Sequence, residues 1–307
     1  MTSANGRGNG HGAAPAAAAD QVARFTLPGR SARGRLVRLD AVLDAILAAH
    51  AYPPLAARVL AEALTLTALF GSTLKDEDGQ LTLQAQAPEG AISLLVCDWR
   101  GGALRGYLQH DAERLAALSD DADLNALFGT GYLAITFEQT ASGERYQGIV
   151  PLEGADLGAA AESYFCQSEQ LPSLVRLGYA DRGLAGHAAG GLLIQHLPGG
   201  EEGHERLHVR EDHPDWDHVT ALAGTVTPGE LIDPGLAPDA LLWRLFNEDE
   251  VRVLPPLGIS RGCRCSAAHI REVLASFPED ERQAMADENG RISVDCAFCA
   301  RSIVIDF

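Results

Sequence analysis

The sequence predicts an α+β fold in three parts: a mixed helix and sheet N-terminal domain over residues 23–199, a helical but metastable acidic linker over 200–250, and a small C-terminal unit over 251–307. A disordered tail over 1–22 precedes them. Three observations predict this. Strand-like and helix-like stretches come in groups and do not alternate strictly, which fits an α+β fold and not a doubly wound sheet. More than half of the net charge of −18 lies within 200–250, where 13 Asp or Glu stand against Arg206, Arg210 and Arg244, a local balance of 3 − 13 = −10. Four of the six cysteines fall in the last 45 residues.

The elements follow in order. Residues 1–22 are rich in Gly, Ala and Asn, and their alanine run lacks a leucine-type core, so they fit a disordered tail and not a secretory signal. Within 36–50 the apolar residues Leu39, Val42, Leu43, Ile46 and Leu47 recur at the spacing of one helical face. Pro53 and Pro54 punctuate before a second helix over 55–70, which is shorter than the roughly 20 residues of a bilayer span and carries Arg58 and Glu62. It reads as a buried core helix. After Lys75 the period becomes two. Leu81, Leu83, Ala85 and Ala87 alternate with polar residues, and 91–99 is a short apolar run bounded by glycines. Segments 132–137 and 146–152, joined by the turn-rich 140–143, predict a hairpin with a longer loop. A helix over 156–170 places Leu157, Ala161, Tyr164 and Phe165 on one face before Pro172 closes it, and 174–179 and 191–197 return to strand composition.

The acidic segment contains an apolar island, Leu241, Leu242, Trp243, Leu245 and Phe246, which needs another surface to cover it. These five residues are the candidates for conditional exposure. The C-terminal unit is too small to fold on a hydrophobic core alone. Cys263-Arg264-Cys265 and Cys296-Ala297-Phe298-Cys299 supply what the core lacks. Two close pairs of soft thiolates wrap a tetrahedral cation, and zinc is the usual occupant of a four-sulfur site in a reducing compartment. Between the pairs, Ser266 can cap a helix running to about 276, Pro278 can begin another, and Gly290 can end it before 291–295 leads to the second pair. Metal binding and folding of this unit are therefore expected to be one event.

Spacing alone is also that of a permanent structural zinc ribbon. The Cys-x-Cys pair argues for a reactive site, because it puts two sulfurs where they can oxidise to each other, and Arg261, Arg264 and Arg301 would favour thiolates. Cys97, in an apolar run, and Cys166, before Pro172, read as buried inert thiols. His204, His208, His213 and His218 are spaced irregularly around Pro214 and read as solvated loop and not as a second metal site. A thiol oxidoreductase built on Cys296 and Cys299 would need a βαβ setting that the tail lacks. The charge of −18 disfavours nucleic acid, no Gly-x₄-Gly-Lys motif supports ATP binding, and with no export or membrane segment the expected location is the cytoplasm.

Several stretches resemble the heat-shock protein 33 family, the redox-regulated holdase chaperones. They are Tyr-Phe-Cys-Gln-Ser-Glu-Gln-Leu-Pro from Tyr164 to Pro172, Gly-Gly-Leu-Leu-Ile-Gln from Gly190 to Gln195, Leu-Trp-Arg-Leu-Phe-Asn-Glu-Asp-Glu-Val from Leu242 to Val251, and the two cysteine pairs. The resemblance implies a non-enzymatic, ATP-independent chaperone, with one Zn²⁺ per chain held in the reduced form by Cys263, Cys265, Cys296 and Cys299. It further implies that oxidation forms Cys263–Cys265 and Cys296–Cys299 disulfides, releases zinc and unfolds the linker. The partners it implies are unfolding client proteins and, in the active state, a second copy of the chain.

Overall fold

Alternating apolar residues carry the chain straight into an antiparallel pair, β1 (Gln21–Leu27) and β2 (Ala32–Leu39). The computed structural model describes residues 20–76, 78–140, 143–197 and 213–306. After α1 (Ala41–Leu47) and α2 (Pro54–Gly71) come β3 (Gln80–Gln86), β4 (Ile92–Arg100) and β5 (Ala103–His110). Two short helices, α3 (Ala112–Ala116) and α4 (Leu124–Phe128), lead to the hairpin β6 (Tyr132–Glu138) and β7 (Arg145–Pro151). Helix α5 (Leu157–Tyr164) runs into a π turn, Phe165–Glu169, before β8 (Ser173–Asp181) and β9 (His187–His196). Three helices, α6 (Pro214–Ala223), α7 (Pro228–Ile232) and α8 (Pro238–Phe246), precede β10 (Arg252–Gly258) and the two-residue β11 (Ser260–Arg261). The chain closes with α9 (Ala267–Ala275), α10 (Glu279–Met285), β12 (Arg291–Asp295) and β13 (Ser302–Asp306).

The strands make a five-stranded sheet in the order β10-β1-β2-β9-β8, a six-stranded sheet in the order β11-β5-β4-β3-β6-β7, and the β12-β13 hairpin. Helix α2 lies between the two large sheets and packs on both. It is apolar over most of its surface because most of it is covered, with Arg58 and Glu62 only partly buried, and Thr65 and Thr67 satisfy their hydroxyls on the carbonyls of Ala61 and Ala63, at 2.8 and 2.7 Å. Although α2 is long and apolar enough by length and composition to cross a membrane, 83% of it is buried inside the fold. Side chains of the five-stranded sheet alternate between two apolar clusters. Val37, Leu39, Val175, Ala189 and Leu193 face α2, whereas Phe25, Leu27, Leu36, Leu174, Leu192 and Ile194 face the opposite way. Helices α6, α7 and α8 cover that second face with Trp216, Val219, Leu231, Leu241, Leu242, Leu245 and Phe246.

The mixed α+β architecture agrees with the sequence expectation, and several boundaries differ from it. Residues 36–39 belong to β2, not to a helix; the helical spacing is real only from Val42. Gln21 and Val22 belong to β1 and not to the tail, with Val22 fully buried. Strands β1 and β5 escape the periodicity because arginines and glycines interrupt their apolar residues. Residues 252–258 do not open the C-terminal unit; they pair antiparallel with β1 at the sheet edge, where Pro255 and Pro256 are tolerated, and the carbonyl of Pro255 accepts the Arg24 guanidinium at 2.8 and 3.0 Å. Gly290, at φ +76°, turns the chain into β12, while α10 has already ended at Met285. Residues 1–19 lie outside the described residues, as do 198–212 of the acidic segment.

Candidate metal centre and the covered sheet face

Two loops meet at the cysteine cluster. The first follows β11, and Ser266 then caps α9 by accepting the His269 N–H at 3.2 Å; the second is the turn between β12 and β13. The four Sγ atoms lie within 4.8 Å of one another, with Cys263 at 3.2 Å from Cys265 and 3.5 Å from Cys296, and Cys265 at 3.5 Å from Cys299. A tetrahedral ion with metal–sulfur bonds of about 2.3 Å needs sulfurs roughly 3.8 Å apart. The sulfur separations bracket that value, so the four thiols and their spacing fit such an ion. All four thiols are free and half-buried. The structure brings together the four cysteines that the sequence singles out.

The thiols differ electrostatically. Burial opposes ionisation of Cys263, but the Cys265 backbone N–H and the three neighbouring thiols outweigh it and bring Cys263 down to about 7. Burial, reinforced by hydrogen bonds to the other thiols, pushes Cys265 up to about 12. Burial also raises Cys296, against backbone N–H groups of Phe298 and Cys299. Of the three arginines expected to favour thiolates, Arg301 reaches a sulfur, with Nη2 at 3.4 Å from Cys265 Sγ and 3.0 Å from its carbonyl. Arg264 turns away towards the six-stranded sheet.

That sheet receives the cluster at its edge. Strand β11 pairs parallel with β5, and the Gly262 N–H donates to the Leu104 carbonyl at 2.8 Å. Arg264 donates to Gln80 Oε1 at 2.6 Å and reaches Asp98 Oδ2 at 3.5 Å. Arg105 donates Nε and Nη2 to the same Asp98 oxygen at 2.8 and 2.5 Å, and its guanidinium carbon lies 3.9 Å from the centroid of the Phe298 ring. Phe298 also meets Tyr107 edge-on at 4.9 Å, and His50 Nε2 lies 2.9 Å from the Ala297 carbonyl. Asp98, Arg105, Tyr107 and His50 were not singled out in the sequence. A charged residue within the apolar run of β4 was the available signal for Asp98, because a buried carboxylate demands a partner.

The apolar island lies elsewhere. Leu241, Leu242, Leu245 and Phe246 are buried against the five-stranded sheet, whereas Trp243 is 70% exposed. Their cover comes from the sheet face and not from the cysteine unit. Each such burial is worth about 1.5–3 kcal/mol. Polar contacts hold the same helices. Arg30 donates to Asp215 at the start of α6, at 2.9 Å, and to Asp249 beyond α8, at 2.8 Å. His218 Nε2 lies 2.8 Å from the other Asp249 oxygen. Beneath α6 the buried His196 ring stacks on Trp216 at 5.6 Å. Buried Arg38 donates to the carbonyls of Glu230 and Leu231 at the end of α7.

The remaining candidates separate. Cys97 is buried, and burial pushes its thiol far up, as an inert core cysteine requires. Cys166 is exposed, contrary to expectation, because the π turn directs Tyr164 and Phe165 inward and leaves Cys166 outside. His213 caps α6, accepting the Asp215 N–H at 3.2 Å, and His218 lies in α6, so neither is solvated loop; His204 and His208 lie outside the described residues. Tyr164 is fully buried with its hydroxyl donating to Glu169 at 2.8 Å, which accounts for two residues of the Tyr164–Pro172 stretch.

Comparison with known proteins adds the relationship. The family model described as Hsp33 protein matches residues 20–306. A protein of Caulobacter vibrioides named 33 kDa chaperonin is 42% identical over 294 residues, covering 94% of this chain and 95% of its own length. A 33 kDa chaperonin of Yersinia pestis is 36% identical over 290 residues, covering 94% and 92%. The crystal structure of a 33 kDa chaperonin, a heat-shock protein 33 homologue from Thermotoga maritima, superposes with a TM-score of 0.78 at 21% identity, over 94% of this chain and 95% of that one, and so shares the fold. With matching strands, a four-cysteine cluster and relatives spanning nearly its whole length, the chain belongs to the Hsp33 protein family.

Proposed function

We propose that the protein is an ATP-independent holding chaperone whose client surface is the outer face of the five-stranded sheet, switched by oxidation of Cys263, Cys265, Cys296 and Cys299. The observation that carries this reading is the covered face. Phe25, Leu27, Leu36, Leu174, Leu192 and Ile194 form a continuous apolar surface, hidden by helices from the most acidic part of the chain. The names of the relatives support a chaperone role. In this reading 213–250 is the cover and 262–306 the trigger.

Bound by the four sulfurs, a zinc ion would cross-link the 263–265 and 296–299 loops and supply the stability that the tail's own core lacks. Only Leu274, Ile292 and Ile305 are deeply buried there, too few to hold a fold of this size. Each molecule of peroxide takes two electrons from one pair of thiolates and two protons from solvent, forming a disulfide and two waters. The pairs are Cys263 with Cys265 and Cys296 with Cys299, as in the family. Disulfide sulfur carries no negative charge and ceases to be a metal ligand. The tail then unfolds, β11 leaves β5, and the strain passes through β10 to Asp249, where the cover is fastened to Arg30. Acidic residues on the released helices keep the opened chain soluble. Two opened copies associate as the active form.

The test follows zinc release and client aggregation in one sample. The reduced protein is expected to hold one zinc per chain, and peroxide with mild heating to release it and to suppress light scattering by an unfolding client without nucleotide. Equal suppression before oxidation would remove the switch, and retained zinc with no suppression would leave a structural site. Peptide mapping of the oxidised protein is expected to show the two local disulfides.

A further inference from the structure

We propose that Arg105 is a positioning residue for the cysteine cluster, joining both cysteine pairs to the six-stranded sheet and so setting how much oxidant is needed to open the protein. The proposal rests on the switch reading above and names a determinant of it outside the cysteine unit.

The residues between the cysteines carry the inference. Within Cys263-Arg264-Cys265, the only intervening side chain leaves the cluster to contact Gln80 and Asp98, on β3 and β4. Within Cys296-Ala297-Phe298-Cys299, the intervening ring is placed against Tyr107 and under the Arg105 guanidinium, both on β5. Arg105 and Asp98 are themselves a two-bond ion pair, with the Asp98 side chain 5% exposed. The Asp98 carboxylate thus holds the Arg105 guanidinium, whose central carbon lies over the Phe298 ring, while the same oxygen receives Arg264. One buried pair on the sheet therefore meets both halves of the cluster. A planar guanidinium does this where an ammonium would not, because it donates in its plane and stacks with its face. Gly262 permits the approach, since a Cβ there would come within 2.4 Å of the Ala103 Cβ.

These contacts give the tail a second source of stability that depends on the loop shapes. Loops remodelled by local disulfides cannot keep Arg264 and Phe298 in register with one fixed pair, so release from the sheet accompanies loss of the cluster. Conversely, weakening the contact on the sheet side makes the cluster easier to open although no ligand is altered.

The experiment measures the peroxide dose giving half-maximal zinc release from the full-length zinc-loaded protein, with melting temperature and proteolysis of the reduced protein as controls. Phe298→Leu removes the face contact and leaves the Arg105–Asp98 pair intact; Arg105→Lys keeps a charge for Asp98 and loses the planar face. Each is expected to lower the half-release dose roughly tenfold, the factor equivalent to about 1.4 kcal/mol of lost docking. The double variant is expected to shift no further than either alone, with the N-terminal domain of the reduced protein as protected from proteolysis as in the parent. Unchanged doses, or shifts that add, would overturn the role of Arg105. Failure of the parent protein to release zinc at any dose would instead sink the switch, which keeps the two failures apart. Should Arg105→Lys fold poorly, Phe298→Leu alone decides.

Discussion

Arg30 holds two carboxylates at the two ends of the cover, Asp215 in the first turn of α6 and Asp249 beyond α8. A single guanidinium thus fastens both ends of the cover, and Asp249, with its side chain 7% exposed, is poorly placed to recover its hydrogen bonds from water. Arg30→Ala is expected to raise protease cutting within α6–α8 of the reduced protein several-fold and to give partial client suppression without oxidant; intact protection would show that the apolar contacts suffice. None of this was legible in the sequence, because Arg30 stands 185 and 219 residues from its partners. The cysteines were legible for the opposite reason. Metal ligation needs a fixed residue type at short spacing, and Cys263, Cys265, Cys296 and Cys299 carry that pattern without any knowledge of the fold. Asp98 and Arg105 lie between these cases, since the ion pair joins neighbouring strands whose pairing the sequence did not reveal.

At the scale of the element, α7 shows how closely the cover is fitted. Its capping box, Thr227 with Glu230, starts it, Arg38 closes it, and its two ends lie on glycines of β8 and β9. A Cβ at Gly178 would meet the Pro228 carbonyl oxygen at 2.4 Å, and one at Gly190 the Leu231 carbonyl oxygen at 2.4 Å. Gly190→Val is therefore expected to lift α7 from the sheet and increase binding of a hydrophobic dye by the reduced protein, with the zinc content unchanged; dye binding at the parent level would place the cover's hold elsewhere. The long elements were legible, α2 from its apolar composition, β3 from alternation, β4 from a short apolar run bounded by glycines, and β6 with β7 from two segments joined by a turn-rich loop. The end of β2 reads as helical because Leu36, Val37 and Leu39 precede a genuine helical spacing from Val42, with only Asp40 between β2 and α1. Helix α8 was legible as apolar and unpaired, but its resting place was not, since an amphipathic helix specifies that it needs a surface without specifying which one.

Across the whole molecule, the central helix carries a carboxyl that ties stability to pH. Burial holds Glu62 up to about 7 from 4.5, with Arg58 opposing and Asp156 adding to the rise. The native state binds a proton that the unfolded chain gives up near 4.5, so this group's favourable contribution is lost as pH rises from about 4.5 to 7. Glu62→Gln is expected to flatten that fall in melting temperature and to stabilise the protein at pH 8; parallel pH profiles for the two proteins would reject the assignment. The pairing of β10 with β1 bears on what opening can mean. The helices α6–α8 leave the five-stranded sheet at the end of β9 and rejoin it at β10, so they form a closed loop anchored at both ends on the surface they cover. As long as β10 holds, displaced helices do not diffuse away. They remain at a local concentration that reaches the millimolar range for short tethers, a resident competitor that every bound client must outcompete. In the proposed switch, client affinity is then a difference between two ligands for one face, and restoring the thiols would return the captive helices to competition for it.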